Sequence, residues 1–328
     1  MKVLFLPDTG IPDFLQDAVF HGLHVLLGDD VVEWPPLPRY RGAAAPEGER
    51  YPFAYFDLPP HPGGSLEELV EWADAIVMPS LRDGALPQVR AALGKKPTAF
   101  VDGEDHPYVR GIRSHVDLYF KRETLVSPGV LRARTQVRRA YHWARNREHG
   151  RDPLRRHVAV AHRDNVIPLP FGVIDVGLEP SAEKEFDVAF MARPTSPERE
   201  RVVEELQQLG NRVAIGGDLP WGEYMRLLSR SRIGVSVRGL GHDTLRYWEI
   251  PYCGAALVAE TPQIVIPDNF VDGEEAAFES VDRLVVLVSA LQDAGADEIA
   301  AAGRRAVLAR HTSVHRAQAV LERLASIV

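Results

Sequence analysis

The alternation of short apolar runs with amphipathic stretches along most of the chain is the strongest constraint on its fold. Runs such as "DAIVMP" at 74–79 and "FDVAFMA" at 186–192 have the length of buried strands. Strands that alternate with helices form parallel sheets with helices on both faces. The sequence therefore predicts an α/β protein built from βαβ units.

Length and one polar segment predict the domain organisation. A chain of 328 residues exceeds one ordinary hydrophobic core. The segment "IDVGLEPSAEKE" at 174–185 is polar, contains glycine and proline, and separates two series of alternating segments. We expect two doubly wound, Rossmann-like domains that face a cleft, over residues 1–172 and 184–328, joined by a linker at 173–183.

Charge and cysteine content exclude several classes of protein. A formal net charge of −8 argues against a general binder of nucleic acid or of membrane surfaces. The single cysteine excludes an internal disulfide and disfavours a zinc site, which fits a reducing compartment. The N-terminal apolar run ends at Pro7, too short for a signal peptide, and no stretch reaches membrane-spanning length. We therefore expect a soluble, cytoplasmic protein.

Two segments interrupt the alternation. Residues 34–64 are rich in proline and include the aromatic-rich stretch Tyr51–Phe56, which we expect to be an ordered, functional loop. Residues 130–163 are rich in arginine, which fits an anionic acceptor or peripheral contact with an anionic membrane. A solvated helix is the commoner outcome for such a segment, so membrane contact is the less favoured interpretation.

The loops that follow strands in the second domain are the candidate ligand sites, because doubly wound sheets bind ligands at the carboxyl ends of their strands. Three such loops carry suitable residues, namely Arg193 in the first, Gly216, Gly217 and Asp218 in the second, and His242, Thr244 and Leu245 in the third. A helix follows the third loop, and the free N–H groups at a helix start favour a phosphate.

Arg246 and Glu249 share one face of that helix at i,i+3 spacing. An arginine there can donate two hydrogen bonds to a phosphate, and a carboxylate one turn further can accept hydrogen bonds from both hydroxyls of a ribose. A salt bridge between the two side chains beside a capped helix explains the same spacing. The spacing alone leaves both interpretations open.

The string "DTLRYWEIPYCGAALVAE" at 243–260 resembles the C-terminal half of glycosyltransferases of the GT-B fold, in particular the group-1-like set related to spore-maturation proteins. The resemblance extends to two further segments, the acidic "VDGEEAAFES" at 271–280 and the C-terminal "AGRRAVLARHTSVHRAQAVLERL" at 302–324. It is good over residues 180–328 and looser over 65–172.

This resemblance implies a nucleotide-sugar donor, bound as a substrate with no cofactor or metal, and an acceptor that is a small molecule, a glycan or a protein. By the same resemblance Glu249 holds the ribose, Arg246 and Arg193 hold the diphosphate, and the Gly216–Asp218 loop lies near the base. It also implies that the last helix packs back on the first domain.

The sequence departs from the family pattern at two positions. Many members carry a second glutamate eight residues before the first, where this chain has Gly241, so contacts to the transferred sugar do not carry over. Pro251 lies inside the helix pattern, where it removes a backbone hydrogen bond and predicts a kink.

The first domain is expected to supply the acceptor site and any catalytic base. Asp105 and His106 lie in "VDGEDHP" directly after a strand, and Asp8 lies in the first strand-to-helix loop. His106 titrates nearest neutral pH and is the first choice for a base if the reaction inverts, whereas a retaining reaction needs none. Solvated turn acids and a capping residue are the alternative interpretations.

Two other functions remain open on the sequence alone. A nucleotide-sugar epimerase shares the two-domain plan, and it requires acids and histidines around the sugar in both domains. A nucleotide- or glycan-binding protein without catalysis is compatible with glycine at position 241.

Overall fold

The structure is a computed structural model of the 328-residue chain. It describes all residues except 8–12, 38–39, 42–57, 59, 80–93, 95, 110–111, 113–115, 128–158, 161–165, 194–195, 210–211 and 218. Asp8, Tyr51–Phe56, nearly all of the arginine-rich segment and Asp218 therefore lie outside the described residues.

The first domain contains a parallel sheet of six strands in the order β2-β1-β3-β4-β6-β8. These strands are β1 Val3–Phe5, β2 Val31–Glu33, β3 Ala75–Pro79, β4 Thr98–Asp102, β6 Leu118–Lys121 and β8 Val166–Pro168. A separate antiparallel pair is formed by β5 Tyr108–Val109 and β7 Ala159–Val160. The described helices of this domain are α1 Phe14–Leu27 and α2 Leu66–Trp72.

The second domain contains a parallel sheet of five strands in the order β10-β9-β11-β12-β13. The strands are β9 Phe186–Met191, β10 Val213–Gly216, β11 Ser231–Ser236, β12 Ala256–Glu260 and β13 Ala277–Glu279. Its helices are α3 Pro197–Gln208, α4 Trp221–Ser229, α5 Leu245–Tyr252, α6 Leu284–Asp293 and α7 Ala296–Arg310, and the chain then enters α8 Ser313–Ala325. The prediction of an α/β protein with parallel sheets is confirmed.

Strand side chains alternate between two helical layers in both domains. In β9, Val188 and Phe190 join one hydrophobic cluster, whereas Ala189 and Met191 join another on the opposite face. All four side chains are buried. This two-residue period with apolar residues on both faces is the pattern of parallel strands covered on both sides, and it explains the continuous apolar runs of the sequence.

Helix starts and ends follow local signals. Ser65 and Glu68 form the reciprocal cap of α2, with Ser65 N donating to Glu68 Oε2 at 2.8 Å and Glu68 N to Ser65 Oγ at 3.2 Å. Asp13 caps α1. Pro251 lies in the last turn of α5, which ends at Tyr252. Because only one helical residue follows the proline, the expected kink in the helix interior does not occur.

Backbone contacts join the two domains at two places. Leu125 and Ile264 form an antiparallel bridge, and Val173 and Thr312 form a parallel one. Beyond the second bridge α8 packs against α1 of the first domain, so closely that a Cβ on Gly22 would overlap the backbone of Ser313. Within the described residues, no helix is long and apolar enough to cross a membrane.

Candidate functional site

A cavity of about 480 Å³ lies between the two domains, at the carboxyl ends of both sheets. The first domain and the segment leading to the linker contribute Asp13, Phe14, Gly103, Glu104, Asp105, Arg122 and Phe171, which we call the first wall. The second wall consists of Met191, Ala192, Arg193, Gly217, Leu219, Trp221, Tyr224, Gly239, Leu240, Gly241, Asp243, Thr244, Leu245, Arg246 and Glu249.

Glu249 is held in the second wall by two aromatic side chains of α4. Tyr224 donates its hydroxyl to Glu249 Oε2 at 2.6 Å, and Trp221 donates Nε1 to Oε1 at 3.4 Å. Burial raises the pKa of the Glu249 carboxyl, although these two hydrogen bonds oppose the rise. Because its hydrogen bonds go to α4 and not to Arg246, the salt-bridge interpretation of the i,i+3 spacing is not what the structure shows.

Positive charge is concentrated beside Glu249. Arg193 and Arg246 line the cavity, and Arg199 lies behind them. Arg199 donates to three backbone carbonyls, those of Arg238 at 2.9 Å, Val237 at 3.1 Å and Arg193 at 3.2 Å. Burial and the nearby Arg246 lower the pKa of Arg199 to about 10. Arg199 therefore ties two loops together and adds to the local positive potential.

The loop after β10 approaches the loop after β9 closely. A Cβ on Gly217 would lie 3.0 Å from the backbone nitrogen of Arg193. Gly217 lines the cavity, whereas the predicted Gly216 lies against Met191 and does not. Glycine is therefore favoured at position 217 because the backbones of the two loops lie too close together for a side chain.

The third loop contributes Thr244 and Leu245 to the cavity, but the predicted His242 is not among the lining residues. Thr244 precedes α5, and its hydroxyl lies 3.0 Å from Ser236 Oγ. Burial lowers the pKa of His242, and its backbone nitrogen donates to Glu123 Oε2 at 3.1 Å.

Glu123 of the first domain fixes this loop and was missed by the sequence analysis. Besides the bond from His242, it accepts a hydrogen bond from Asp243 N at 2.9 Å. A Cβ on Gly241 would overlap the Glu123 carboxylate, which gives a steric reason for glycine at this position. Glu123 is buried.

Asp243 forms the reciprocal link from the second domain. It accepts hydrogen bonds from Phe171 N at 2.6 Å and from Trp248 Nε1 at 2.8 Å. Burial raises the pKa of Asp243 to about 7, while Arg122 opposes the rise. Glu123 and Asp243 together bind backbone across the domain junction in both directions.

Arg122 follows the end of β6 and lines the first wall. It forms ion pairs with Asp105 and, at 3.7 Å, with Glu123, and its guanidinium stacks on the Phe171 ring at 4.2 Å. The signal for Arg122 was present, because it follows a predicted strand and strand ends are where ligand sites form.

The three predicted catalytic residues have different positions. Asp105 lines the cavity, half exposed and paired with Arg122. His106 is not among the lining residues; its Nε2 lies 3.8 Å from Glu104 Oε2, and burial lowers its pKa. Asp8 lies outside the described residues. Among the described residues, no group of three or more His, Cys, Asp or Glu side chains is placed to hold a metal ion.

Comparison with known proteins gives one family match and several fold matches. Residues 195–322 match the model of the family described as "Glycosyl transferase-like". A sequence search of curated proteins finds no match.

Solved structures of three proteins align over nearly the whole chain. The glycosyltransferase from Rickettsia africae ESF-5 aligns with a TM-score of 0.59 at 10% identity, over 99% of this chain and 98% of that one. Anabaena Alr3699/HepE in complex with UDP aligns at 0.51 and 14% identity, over 99% and 100%. Sucrose-phosphate synthase from Thermosynechococcus elongatus aligns at 0.50 and 13% identity, over 100% of both chains. Two parallel α/β domains around a cleft, together with these alignments over nearly the whole chain, show that the protein has the GT-B fold, and residues 195–322 are similar to the glycosyl transferase-like family.

Proposed function

We propose that the protein transfers a sugar from a nucleoside diphosphate sugar to an acceptor nucleophile. The observation that carries the proposal is the second wall, where a buried carboxylate, Glu249, lies next to the arginine cluster at the start of α5. Glycosyl transfer in general is further supported by the family match of residues 195–322.

The arginines suit the diphosphate of the donor. Arg193 and Arg246 line the cavity at the carboxyl ends of β9 and β11, and the backbone N–H groups at the start of α5 face the same region. Arg199 donates hydrogen bonds to three backbone carbonyl oxygens, and its positive charge adds to that of Arg193 and Arg246. An anion between these groups therefore gains from three positive charges.

Glu249 suits the ribose of the nucleoside. Each carboxylate oxygen already accepts one hydrogen bond, from Trp221 or from Tyr224, and retains capacity for another. The two aromatic side chains fix the carboxylate plane, so that the two ribose hydroxyls meet a preorganised pair of acceptors. UDP is the first nucleotide to test, because the Anabaena neighbour was solved with UDP.

The epimerase alternative is less well supported. It requires several acids and histidines around the sugar, and His242, the histidine expected to serve in the second domain, is not among the lining residues. The non-catalytic alternative differs from a transferase only in turnover and is decided by the same experiment.

The test is a calorimetric titration with UDP, GDP, dTDP and UMP, followed by assay of nucleotide release from the matching sugar nucleotide. We expect one nucleoside diphosphate to bind at least tenfold more tightly than its monophosphate, and slow release of free nucleotide. Arg246→Ala removes this preference, whereas Arg226→Ala on the exposed face of α4 retains it. Equal affinity for UDP and UMP contradicts the diphosphate site, and epimer formation supports the alternative enzyme.

A further inference from the structure

The first wall contains three carboxylates that line the cavity, from Asp13, Glu104 and Asp105. Asp105 is paired with Arg122, and the Glu104 carboxylate lies 3.8 Å from His106. Asp13 forms no ion pair with any residue that the structure describes. Of the three, Asp13 is the carboxylate that contacts neither an arginine nor a histidine among the described residues.

The carboxylate of Asp13 is held in one orientation. Its Oδ1 accepts hydrogen bonds from Leu15 N at 3.0 Å and from Gln16 N at 3.2 Å, as the cap of α1. Its Oδ2 accepts neither of these two hydrogen bonds. One oxygen is therefore used to anchor the side chain, and the other retains its capacity to accept.

Gly103 brings the loop after β4 against this carboxylate. A Cβ on Gly103 would lie 2.5 Å from Asp13 Oδ1 and 2.6 Å from Oδ2, closer than any real contact. Glycine at this position is what allows the carboxylate and the loop to share the same edge of the cavity. The close approach links Asp13 to the loop in which the sequence predicts catalytic residues.

We propose that Asp13 is the catalytic base, and that its Oδ2 takes the proton of the acceptor nucleophile as that nucleophile attacks the donor sugar. The inference rests on the proposed function and replaces His106 in the role predicted for it. A bond forms between the acceptor oxygen and the anomeric carbon, and the bond from that carbon to the phosphate oxygen breaks. The electron pair leaves with the nucleoside diphosphate, whose charge faces Arg193 and Arg246, and the anomeric configuration inverts.

The ionisation of Asp13 supports this role. Burial raises the pKa of its carboxyl to about 6, and the nearby Asp17 raises it further, while Arg122 and the two backbone hydrogen bonds lower it. Glu104 and Asp105 are the other described charged groups of the wall that face it. A base with a pKa near 6 is ionised at neutral pH and still binds a proton well, which is the compromise that general-base catalysis requires.

The experiment measures UDP release from UDP-glucose with water as the nucleophile, between pH 5 and 9. Asp13→Asn keeps an oxygen to cap α1 and removes the base. We expect its turnover to fall by about 10²- to 10⁴-fold, the usual contribution of a general base. Its calorimetric affinity for UDP stays within twofold, and Glu67→Gln on the exposed face of α2 serves as the matched control.

The pH profile and the product separate this role from a merely structural one. In the unmodified protein turnover falls as pH drops through about 6, because protonation of Asp13 removes the base, and Asp13→Asn loses this limb. The first product seen by NMR is β-glucose from the α-linked donor.

Two results overturn the inference. They are turnover of Asp13→Asn within threefold of the unmodified protein, and an α-configured first product. Each leaves the nucleotide site of the proposed function intact, whereas absence of nucleoside diphosphate binding removes that function itself.

Discussion

The two walls of the cavity are built in different ways. Arg246 and Glu249 of the second wall lie one helical turn apart in the sequence, and their supports come from the same domain. The first wall is assembled from residues far apart in the chain, and Arg122 in it meets Asp105 from another loop and Phe171 near the linker.

The walls depend on each other through Glu123 and Asp243. Glu123 of the first domain holds the loop that begins the second wall, and Asp243 of the second domain holds the backbone of Phe171 in the first. A local motif can therefore define a binding surface, whereas the cleft around that surface depends on contacts at the domain junction. The predictions below test how far the second wall acts alone.

Removal of Glu123 is expected to have the largest effect. Glu123→Ala leaves the backbone N–H groups of His242 and Asp243 buried without an acceptor, at a cost of about 3 kcal/mol. We expect a lower melting temperature together with weaker UDP binding, because the loop before α5 loses its support. Glu205→Ala on the surface of α3 is the control. Unchanged UDP affinity in Glu123→Ala indicates that the second wall is independent of the first.

Glu249→Ala is expected to damage the second wall alone. Loss of a hydrogen bond to a charged group weakens UDP binding by about 1.5–3 kcal/mol, or roughly 10- to 150-fold. Isothermal titration calorimetry measures the effect, with the exposed Glu223→Ala on α4 as the matched control. If Glu249→Ala and Glu223→Ala lose the same UDP affinity, the ribose does not bind at Glu249.

The domain junction is expected to weaken in acid through His311. This buried ring accepts a hydrogen bond from Arg316 Nη2 at 3.0 Å and lies 2.9 Å from Asp268 O through Nε2, an arrangement that requires the neutral form. Burial and the neighbouring arginines lower the pKa of His311 to about 3. Since the folded-state pKa lies below the unfolded value of about 6.5, its contribution to stability is complete above that pH and is lost as pH falls towards 3.

His311→Gln isolates this contribution, because glutamine can make both hydrogen bonds without titrating. The difference in unfolding free energy between the unmodified protein and this variant should fall by about 2 kcal/mol between pH 6.5 and pH 5. The opposite contribution of Asp243, whose pKa is raised to about 7, is common to both proteins and cancels. If the difference in unfolding free energy does not change with pH, the His311 ring is not held neutral in the folded protein. Melting curves at several pH values provide the measurement.

A surface ion pair of the second domain is expected to have the smallest effect. Arg201 of α3 pairs with Asp282 at 2.5 Å, with the two side chains 43% and 72% exposed. Arg201→Ala should change stability by less than about 1 kcal/mol and leave nucleotide binding unchanged. An effect on UDP affinity as large as that of Glu249→Ala would show that the binding surface extends beyond the walls.

The sequence predicted the second wall better than the first, for reasons that individual residues illustrate. Of the predicted donor-binding residues, six line the cavity, namely Glu249, Arg246, Arg193, Gly217, Thr244 and Leu245. They follow strands or begin a helix, and these signals are local. His106 has an equally good local signal but does not line the cavity, because the direction of a loop side chain depends on its neighbours. Asp13 was not among the predicted site residues, since its position at the cleft depends on the close approach of Gly103.

Periodicity in the sequence was enough to predict the α/β class, because it records which faces of each strand and helix are buried, and burial is the main stabilising contribution. The sequence also placed the arginines and Glu249 at the carboxyl ends of strands, because connection rules of parallel sheets leave little choice. The tertiary structure alone decided that Glu123 lies under Gly241 and that Asp243 binds Phe171 N. Those contacts join residues more than 70 positions apart, and the packing of two domains that brings such residues together leaves no periodic trace in a sequence.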